Sequence, residues 1–354
     1  MQAADRAVDK REKSGRRSSG ARISVKRISE LAGVSTATVS NALNGKRGVN
    51  ADTAQKILRI AREQGYAAKD PVRKIRVVTY RDSGEVFYDS PFFTGLLESI
   101  ENECRQRGYE TAIVNLYRRN EDYEEHLQAL LSDTSSGILL LGTELTEETA
   151  RDFAVPSLSI VLVDVSLPGL PFHSVLMDNG TGIYLAATAL LEAGHRKIGY
   201  LAGSLRIENF KRREMSLRST LYARGLTLEE KYIFSVTPSI QGAHGDMLRY
   251  VQEGRELPTA FVSDNDMIAL GAMEALQTAG IRVPEDISLV GFDDIPFSGV
   301  FAPGLSTVHV QNAEMGRVAV RKLLEIQETP DLLPSKIEIA NELVLRGSIA
   351  APKS

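Results

Sequence analysis

The spacing of apolar residues divides the chain into a short helical region and a longer region of alternating strands and helices. Within residues 24–65, three short segments carry apolar side chains at helical intervals. The segments begin after Ser24, Ser35 and Asn50, which are residue types that cap helix N-termini. This region is therefore predicted to form three short helices.

From residue 75 onward, short apolar runs of strand length alternate with longer amphipathic segments of helix length. One round of alternation ends near residue 177, and a second round begins near residue 182. Such a pattern predicts an α/β fold with two lobes, each built on a doubly wound parallel sheet. Because ligands of these sheets bind at the carboxyl ends of the strands, we expect a binding site in the cleft between the lobes.

Charge is distributed unevenly between the two regions. Residues 1–74 contain 17 Lys and Arg against 7 Asp and Glu, whereas the remainder carries 25 basic and 39 acidic residues. A basic head on an acidic body favours nucleic acid as the partner of the head, and a merely solvated basic surface is the alternative. Residues 1–23 are basic, rich in serine and poor in apolar residues, so we expect a disordered tail that either attracts phosphates nonspecifically or is inert.

Composition argues against several classes of protein. The single Cys104 cannot form an intramolecular disulfide or a thiolate metal cage, and it fits a reducing compartment. No apolar run approaches the roughly 20 residues of a membrane span, and the N-terminal segment lacks the apolar stretch of a secretory signal. We therefore expect a cytoplasmic protein with no membrane partner. The five histidines show no metal-ligand spacing, so no metal site is expected.

Two short motifs suggest enzyme chemistry, and neither is complete. Gly180-Thr-Gly182 resembles a dinucleotide-binding turn, but Leu185 stands where the third glycine is needed. Ser263-Asp-Asn265 matches one element of penicillin-recognising serine enzymes, whose Ser-x-x-Lys and Lys-Thr-Gly elements are missing from the chain. The sequence therefore supports neither an enzyme nor a cofactor.

Residues 33–45 carry the strongest motif in the sequence, a glycine turn followed by a short helix that Ser35 caps. Two short helices joined in this way form a helix-turn-helix, whose second helix enters the DNA major groove with its first residues facing base edges. Thr36, Ala37 and Asn41 are expected to face outward. A three-helix interaction module is the alternative, and the basic charge of the same segment favours DNA.

Residues 25–45, Val-Lys-Arg-Ile-Ser-Glu-Leu-Ala-Gly-Val-Ser-Thr-Ala-Thr-Val-Ser-Asn-Ala-Leu-Asn-Gly, closely resemble the DNA-binding head of the lactose-repressor (LacI/GalR) family of bacterial transcription regulators. The resemblance extends over roughly residues 24–350. It also rests on later segments, which are Ala61-Arg-Glu-Gln-Gly-Tyr66, Ser90-Pro-Phe-Phe93, Met177-Asp-Asn179, residues 194–201, residues 265–271, residues 284–294 and Leu305-Ser-Thr307.

This resemblance implies a homodimeric repressor that binds a palindromic double-stranded DNA operator. It also implies a small effector, such as a carbohydrate, bound between the lobes of a periplasmic-binding-protein-like core. The chain would pass between the lobes at about residues 176, 307 and 335. The implied divisions are a disordered tail (1–23), a helix-turn-helix domain (24–66), a linker (67–74), a first lobe (75–176 with 308–335) and a second lobe (177–307 with 336–350).

Matching the family's motifs position by position implies five effector contacts: Phe92, Asp164, Arg213, Asn265 and Asp293. Carboxylates, an amide and a guanidinium can bracket hydroxyl groups, while a phenyl face packs on a sugar ring. Structural roles remain open for most of them. The two aspartates can cap helices, Phe92 can be a core residue, and Arg213 can form a surface ion pair.

The linker departs from the family pattern, which usually includes an Asn-x-x-Ala-Arg-x-Leu hinge that wedges a leucine into the minor groove. Residues 67–74 contain no leucine, and Pro71 disfavours helix at Asp70. We therefore expect weak or absent operator bending, with Arg73 and Lys74 touching phosphates. The residues expected to contact DNA are Ser24, Ser35, Thr36, Ala37, Thr38, Ser40, Asn41, Asn44, Lys46 and Arg73.

Two further departures concern specificity. Asn41 stands where the family usually has arginine in the recognition helix, and asparagine suits adenine rather than guanine. Residues 215–217, Met-Ser-Leu, replace a common Glu-Gly-aromatic segment, and Val310 stands where a polar residue is frequent. The effector therefore need not be a common sugar.

Two other functional classes remain open. A solute-binding protein with a vestigial DNA-binding head would need export, and no signal peptide is recognisable. An enzyme built on the two lobes would need a nucleophile, an acid–base pair or a metal set, and none emerges from the sequence.

Overall fold

The protein consists of two compact units, a head (residues 1–71) and a core (residues 72–354). The structure, a computed structural model, describes residues 24–43, 49–63, 74–86 and 90–353. The predicted tail, residues 67–73 of the predicted linker, and three of the residues expected to contact DNA lie outside the described residues. Those three are Asn44, Lys46 and Arg73.

The described part of the head contains three helices, α1 (Val25–Ala32), α2 (Thr36–Leu43) and α3 (Ala51–Glu63). The predicted caps are confirmed, because the amide of Arg27 donates to the Ser24 side chain and that of Thr38 donates to Ser35 Oγ at 3.0 Å. The helices enclose a small apolar cluster, which consists of Ile28, Ala32, Val39, Ala42, Ile57 and Ala61.

The strands of the core form two sheets that alternate with helices along the chain. In chain order the strands are β1 (Lys74–Arg81), β2 (Glu110–Tyr117), β3 (Gly137–Leu141), β4 (Ile160–Val163), β5 (His173–Met177), β6 (Ile198–Gly203), β7 (Ile233–Val236), β8 (Ala260–Ser263), β9 (Ser288–Asp293), β10 (Ser306–His309), β11 (Lys336–Ile339) and β12 (Glu342–Val344). The helices are α4 (Pro91–Gln106), α5 (Tyr123–Ser132), α6 (Glu147–Ala150), α7 (Asn179–Glu192), α8 (Glu208–Tyr222), α9 (Ile240–Gln252), α10 (Asp266–Thr278) and α11 (Asn312–Glu328).

The first sheet has the order β11-β5-β4-β3-β1-β2, and the second has the order β12-β10-β9-β8-β6-β7. All strand pairs of the first sheet are parallel, and every residue of β3, β4 and β5 is buried, as expected for strands covered by helices on both faces. These two sheets define the first and second lobes, and they confirm the predicted two-lobed α/β fold.

The structure corrects all three predicted crossings between lobes. Met177 is the last residue of β5 and pairs with Ile339, so it belongs to the first lobe and was wrongly assigned to the second. Strand β10 lies wholly in the second sheet, so the chain leaves that lobe after His309 and not at residue 307. Strand β11 pairs with β5, with Ile337 opposite Val175, so residues 336–339 belong to the first lobe and were wrongly assigned to the second. The physical reason is that β11 completes the backbone hydrogen bonding of β5, which no local pattern in the sequence reveals.

The second sheet also differs from a purely parallel one, because β12 runs antiparallel to β10. Only two residues separate β12 from β11 in the first lobe. A strand that joins a sheet in the parallel direction usually follows a long crossover connection, commonly a helix. Strand β12 has no such connection, because it enters the second sheet directly from β11 of the first lobe.

His195 ties the C-terminal segment to the second lobe. The ring is 1% exposed, with Nδ1 at 3.0 Å from Thr259 Oγ1 and Nε2 at 3.0 Å from Ser288 Oγ and 2.9 Å from the carbonyl oxygen of Ala350. Burial lowers the pKa of His195 below its usual 6.5. The folded protein therefore favours the neutral ring.

We expect this histidine to weaken the fold in acid. A His with a lowered pKa contributes stability that is fully present above pH 6.5 and is lost as the pH falls below that value. Urea unfolding between pH 7 and pH 5 should show a smaller loss of stability in His195→Gln than in the unchanged protein. His126→Gln, which alters an exposed histidine, is the matched control and should behave like the unchanged protein. Equal pH dependence in all three proteins would contradict the prediction.

Candidate effector site and DNA interface

The five residues predicted to bind an effector lie around one small cavity between the two lobes. Phe92 on α4 and Asp164 after β4 come from the first lobe. The other three come from the second lobe, where parallel strands also end at the cleft edge. They are Arg213 on α8, Asn265 after β8 and Asp293 at the end of β9. All five side chains are buried, and their role in effector binding stays a prediction.

Arg213 is held in place by the second lobe. Its Nε donates to Asn179 Oδ1 at 2.8 Å, and its Nη1 donates to the carbonyl oxygen of Asp264. The guanidinium carbon lies 3.6 Å from the centre of the Phe292 ring, and Nη2 lies 3.8 Å from Asp293 Oδ1. With only 3% of its surface exposed, Arg213 forms a buried ion pair and not the surface pair considered above.

Asp164 accepts hydrogen bonds from both lobes. Thr143 Oγ1 donates to its Oδ2 at 2.5 Å, and Asn209 Nδ2 donates to its Oδ1 at 3.0 Å and to its backbone carbonyl at 2.8 Å. Burial raises the pKa of Asp164 to about 6, although the hydrogen bond from Thr143 and the charge of Arg213 oppose that rise. These side-chain donors show that Asp164 has a role other than capping a helix.

Asp293 faces Arg213 from the end of β9. Burial raises its pKa well above the usual range, and the charge of Arg213 acts in the opposite direction. Asp293 and Asp164 both have positive φ angles, 115° and 66°, which are uncommon for residues other than glycine. Backbone strain of this kind clusters at ligand-binding and catalytic sites, so it supports a functional role for both residues.

Asn265 and Phe92 combine structural roles with their positions at the cavity. The Asn265 side-chain oxygen accepts from the amide of Ile268 at 3.0 Å and so caps α10. Phe92 belongs to the main apolar cluster of the core and packs edge-on against Phe93, with ring centres 5.1 Å apart. Phe92 is therefore a core residue, and its side chain also lines the cavity.

The cavity is small because the lobes touch each other across it. Its volume is about 20 Å³, which is space for roughly one water molecule. The lobes are joined by the hydrogen bonds from Asn209 to Asp164 and by a further bond from Arg212 Nη2 to the carbonyl oxygen of Ser166 at 3.1 Å. A ligand larger than water can enter only if these lobes separate.

The prediction from sequence missed several lining residues, of which Asn209 and Thr143 are the polar ones that contact Asp164. Asn209 lies four residues before Arg213 on α8, so the two side chains share one face of the helix. That spacing is a signal the sequence does contain. Thr143 follows β3 by two residues, and only the sheet order brings it next to Asp164.

A much larger groove of about 1130 Å³ lies beside α4, α9 and residues 296–297. It is lined by none of the five predicted effector residues, so its size alone does not mark it as the effector site. We place the candidate effector site at the smaller cavity, because charged and polar side chains converge there from both lobes.

In the head, the first residues of α2 are accessible, as a major-groove helix requires. Ser35, Thr36 and Ala37 are exposed, and Ser24 at the start of α1 is exposed as well. Thr38, Ser40 and Asn41 are partly exposed, while Val39 points into the head's apolar cluster. Thr38 Oγ1 also lies 2.8 Å from Ser35 Oγ. Their contact with DNA stays a prediction.

Comparison with known proteins matches residues 24–69 to the family described as bacterial regulatory proteins, lacI family, and residues 187–349 to a periplasmic binding protein-like domain. The HTH-type transcriptional repressor PurR of Haemophilus influenzae (strain PittEE) is 32% identical over 332 residues, covering 92% of this chain and 98% of the relative. The ribose operon repressor of Haemophilus influenzae (strain ATCC 51907 / DSM 11121 / KW20 / Rd) is 31% identical, covering 93% and 99%.

Solved structures show the same fold at lower identity. A complex of the transcriptional regulator CelR with cellobiose matches with a TM-score of 0.70 and 23% identity, covering 92% of this chain and 100% of that one. The lac repressor dimer bound to operator and the anti-inducer ONPF matches with a TM-score of 0.68 and 24% identity, covering 93% and 99%. No helix in the described part of this chain is long and apolar enough to cross a membrane.

The helix-turn-helix head, the two-lobed core and relatives above 30% identity along nearly the whole chain agree with each other. The chain therefore belongs to the lacI family of bacterial regulatory proteins and is a DNA-binding transcriptional regulator.

Proposed function

We propose that this regulator is a cytoplasmic repressor that binds a palindromic operator as a dimer and is controlled by a small effector in the cleft of its core. The observation that carries the proposal is the convergence of Asp164 from the first lobe with Arg213 and Asp293 from the second on one cavity. A ligand held by both lobes changes their separation. Such a change can be transmitted to DNA binding, with a coupling typically worth about 1–3 kcal/mol.

The charges of the cavity favour a neutral effector that carries several hydroxyl groups. Two carboxyl groups, Asp164 and Asp293, face the single guanidinium of Arg213, so the cavity offers an anionic group such as a phosphate no unopposed positive charge. Asn265, Asn209 and Thr143 add groups that hydrogen-bond to hydroxyls in either direction. Sugars and nucleosides have this chemistry, and relatives of the same fold include a complex with cellobiose.

The experiment that tests this function uses the whole protein. Operator sites are selected from random DNA, and binding to the best site is measured by fluorescence anisotropy over a range of salt concentrations. We expect a palindromic preference and a steep fall in affinity with salt, since Lys and Arg contacts to phosphates release counterions. Absence of any sequence preference would instead favour a solute-binding protein with a vestigial head.

The effector is sought by thermal shift with neutral sugars, nucleosides and their phosphate esters. A ligand that binds only the folded protein raises the melting temperature by mass action. We expect hits among neutral compounds, and each hit should change operator affinity, because coupling between two sites is reciprocal. A ligand that stabilises the protein but leaves operator affinity unchanged would contradict the proposal that the effector site controls DNA binding.

Asn41 on α2 gives a prediction about base preference. An asparagine pairs with adenine N6 and N7, whereas an arginine pairs with guanine O6 and N7, and a good pair of this kind contributes about 1–3 kcal/mol of discrimination. The Asn41→Arg variant should therefore prefer guanine at one position of each half-site. Selection from random DNA with the two proteins in parallel measures the shift. An unchanged preference at every position would contradict contact between Asn41 and a base.

A further inference from the structure

A strongly basic stretch of the sequence precedes the helix-turn-helix motif. Residues 10–22, which we call the basic arm, contain six Lys and Arg against one Glu. Residues 24–74, a stretch about four times as long, contain ten Lys and Arg against four Asp and Glu. The family match begins at residue 24, and every residue expected to contact DNA lies at or after that position. The charge of the arm is therefore unused by the function derived so far.

The composition of the arm favours a polyanion as its partner over an apolar protein surface. Ala21 is the only residue of the arm with an apolar side chain, so the arm has little apolar surface to bury against a protein. Lysine and arginine side chains, in contrast, bind phosphate groups through charge-assisted hydrogen bonds. Within this chain the competing acidic surface is residues 75–354, which carry 25 basic and 39 acidic residues.

The described part of the head shows where the arm is attached. Ser24 caps α1 at an exposed position, with extended backbone angles of φ −95° and ψ 154°. Lys26 is exposed in the first turn of α1, and that turn contains no acidic residue. In a helix-turn-helix, the helix that precedes the recognition helix crosses the DNA backbone. The chain that leads into α1 therefore begins at an exposed, acid-free edge of the helix that lies against the phosphates.

We propose that the basic arm is a second DNA contact, which binds phosphates of the duplex beside the operator and adds affinity without adding sequence preference. Phosphate contacts carry no sequence information by themselves. This proposal goes beyond the proposed function, because it requires neither an effector nor a palindromic site.

Chain length limits how much flanking DNA the arm can contact. Lys10 lies 14 residues before Ser24, and a fully extended chain spans at most about 3.3–3.6 Å per residue, so Lys10 reaches no further than about 50 Å from Ser24. At about 3.4 Å per base pair, this distance corresponds to at most about 15 base pairs.

The test removes the charge of the arm from the full-length protein. The neutral-arm variant carries five substitutions, which are Lys10→Gln, Arg11→Gln, Lys13→Gln, Arg16→Gln and Arg17→Gln. The core control loses the same amount of charge at five exposed positions, through Lys197→Gln, Arg224→Gln, Arg282→Gln, Lys336→Gln and Lys353→Gln. Affinity is measured by fluorescence anisotropy over a series of salt concentrations, with the selected operator and with a duplex of unrelated sequence.

Each lost phosphate contact makes the plot of log affinity against log salt concentration shallower by about 0.9. Loss of five contacts should therefore reduce the slope by about 4.5 for each arm on the DNA, and equally on both duplexes, because phosphates are common to all sequences. The core control should keep the slope of the unchanged protein. A slope that changes by less than about 1 would overturn the proposal. A gain of affinity in the neutral-arm variant would also overturn it, because the arm would then bind the acidic core instead of DNA.

The length of the duplex tests where the arm binds. Operators with flanks of about 2 and about 15 base pairs on each side are compared at one salt concentration. The unchanged protein and the core control should bind the longer duplex more tightly by about tenfold or more, since several phosphate contacts are gained, whereas the neutral-arm variant should bind both duplexes about equally. A gain of the same size in all three proteins would overturn the assignment of the arm to flanking DNA. If no operator can be selected, the proposed function fails, and the salt slopes on the unrelated duplex still test the arm.

Discussion

The Arg213→Met variant is expected to lose about 3–5 kcal/mol of core stability, the usual cost of removing one partner from a buried ion pair. Methionine keeps much of the apolar packing against Phe292 but leaves the buried Asp293 carboxyl without its positive neighbour. It also leaves the Asn179 side-chain oxygen and the Asp264 carbonyl without a donor. Urea unfolding followed by circular dichroism measures the loss, since the chain has no tryptophan for fluorescence.

Two further variants make the Arg213 result specific. Arg212→Met alters the neighbouring arginine, which is partly exposed and bonds to Glu208 and Ser166, so it should cost only about 1 kcal/mol. Adding Asp293→Asn to Arg213→Met should restore part of the stability, because no carboxyl is then left buried without a partner. Equal losses of stability in Arg213→Met and Arg212→Met would contradict the prediction, because the buried contacts of Arg213 would then stabilise the core no more than those of a partly exposed arginine.

The Val39→Asp variant is expected to weaken operator binding by more than about 100-fold while the core still binds its effector. Val39 is completely buried in the apolar cluster of the head, and a buried carboxylate without a partner costs several kcal/mol. A domain of this size has little stability to lose, so the head should unfold. Fluorescence anisotropy with the selected operator measures the loss of affinity.

Val39→Ala is the graded control for the head. It removes two methyl groups and adds no charge, so a smaller loss of operator affinity is expected. In both variants the urea unfolding of the core should be unchanged, because the packing partners of Val39 belong to the head. Operator binding that persists in Val39→Asp would place the DNA contacts outside the helix-turn-helix.

Local patterns were sufficient wherever structure depends on neighbouring residues. The apolar spacing in the sequence predicts a helix over residues 123–132 and strands over residues 137–141 and 160–163. Helix α5 and strands β3 and β4 have these bounds, because their apolar spacing is uninterrupted. The caps at Ser24 and Ser35 were predictable for the same reason, since each cap is a contact across three residues. The positions of the five predicted effector residues came from the family resemblance, and the structure then placed all five around one cavity.

Contacts between distant parts of the chain required the folded structure. Lys336–Ile339 has the same alternation whichever sheet it joins, and only its pairing with β5 assigns it to the first lobe. The bond from Asn209 to Asp164 spans 45 positions and two lobes, so no spacing rule predicts it.

The sequence by itself determined a basic three-helix head and a two-round α/β core, while the residues that line the cleft were inferred from the family resemblance. It could do so because helical periodicity, strand periodicity and caps depend on near neighbours. Tertiary structure decided where the chain crosses between lobes and how far the cleft closes around the polar cavity. These features are set by backbone pairing and side-chain packing between segments more than 40 residues apart, such as Asp164 with Asn209 and Ile337 with Val175, which leave no local trace.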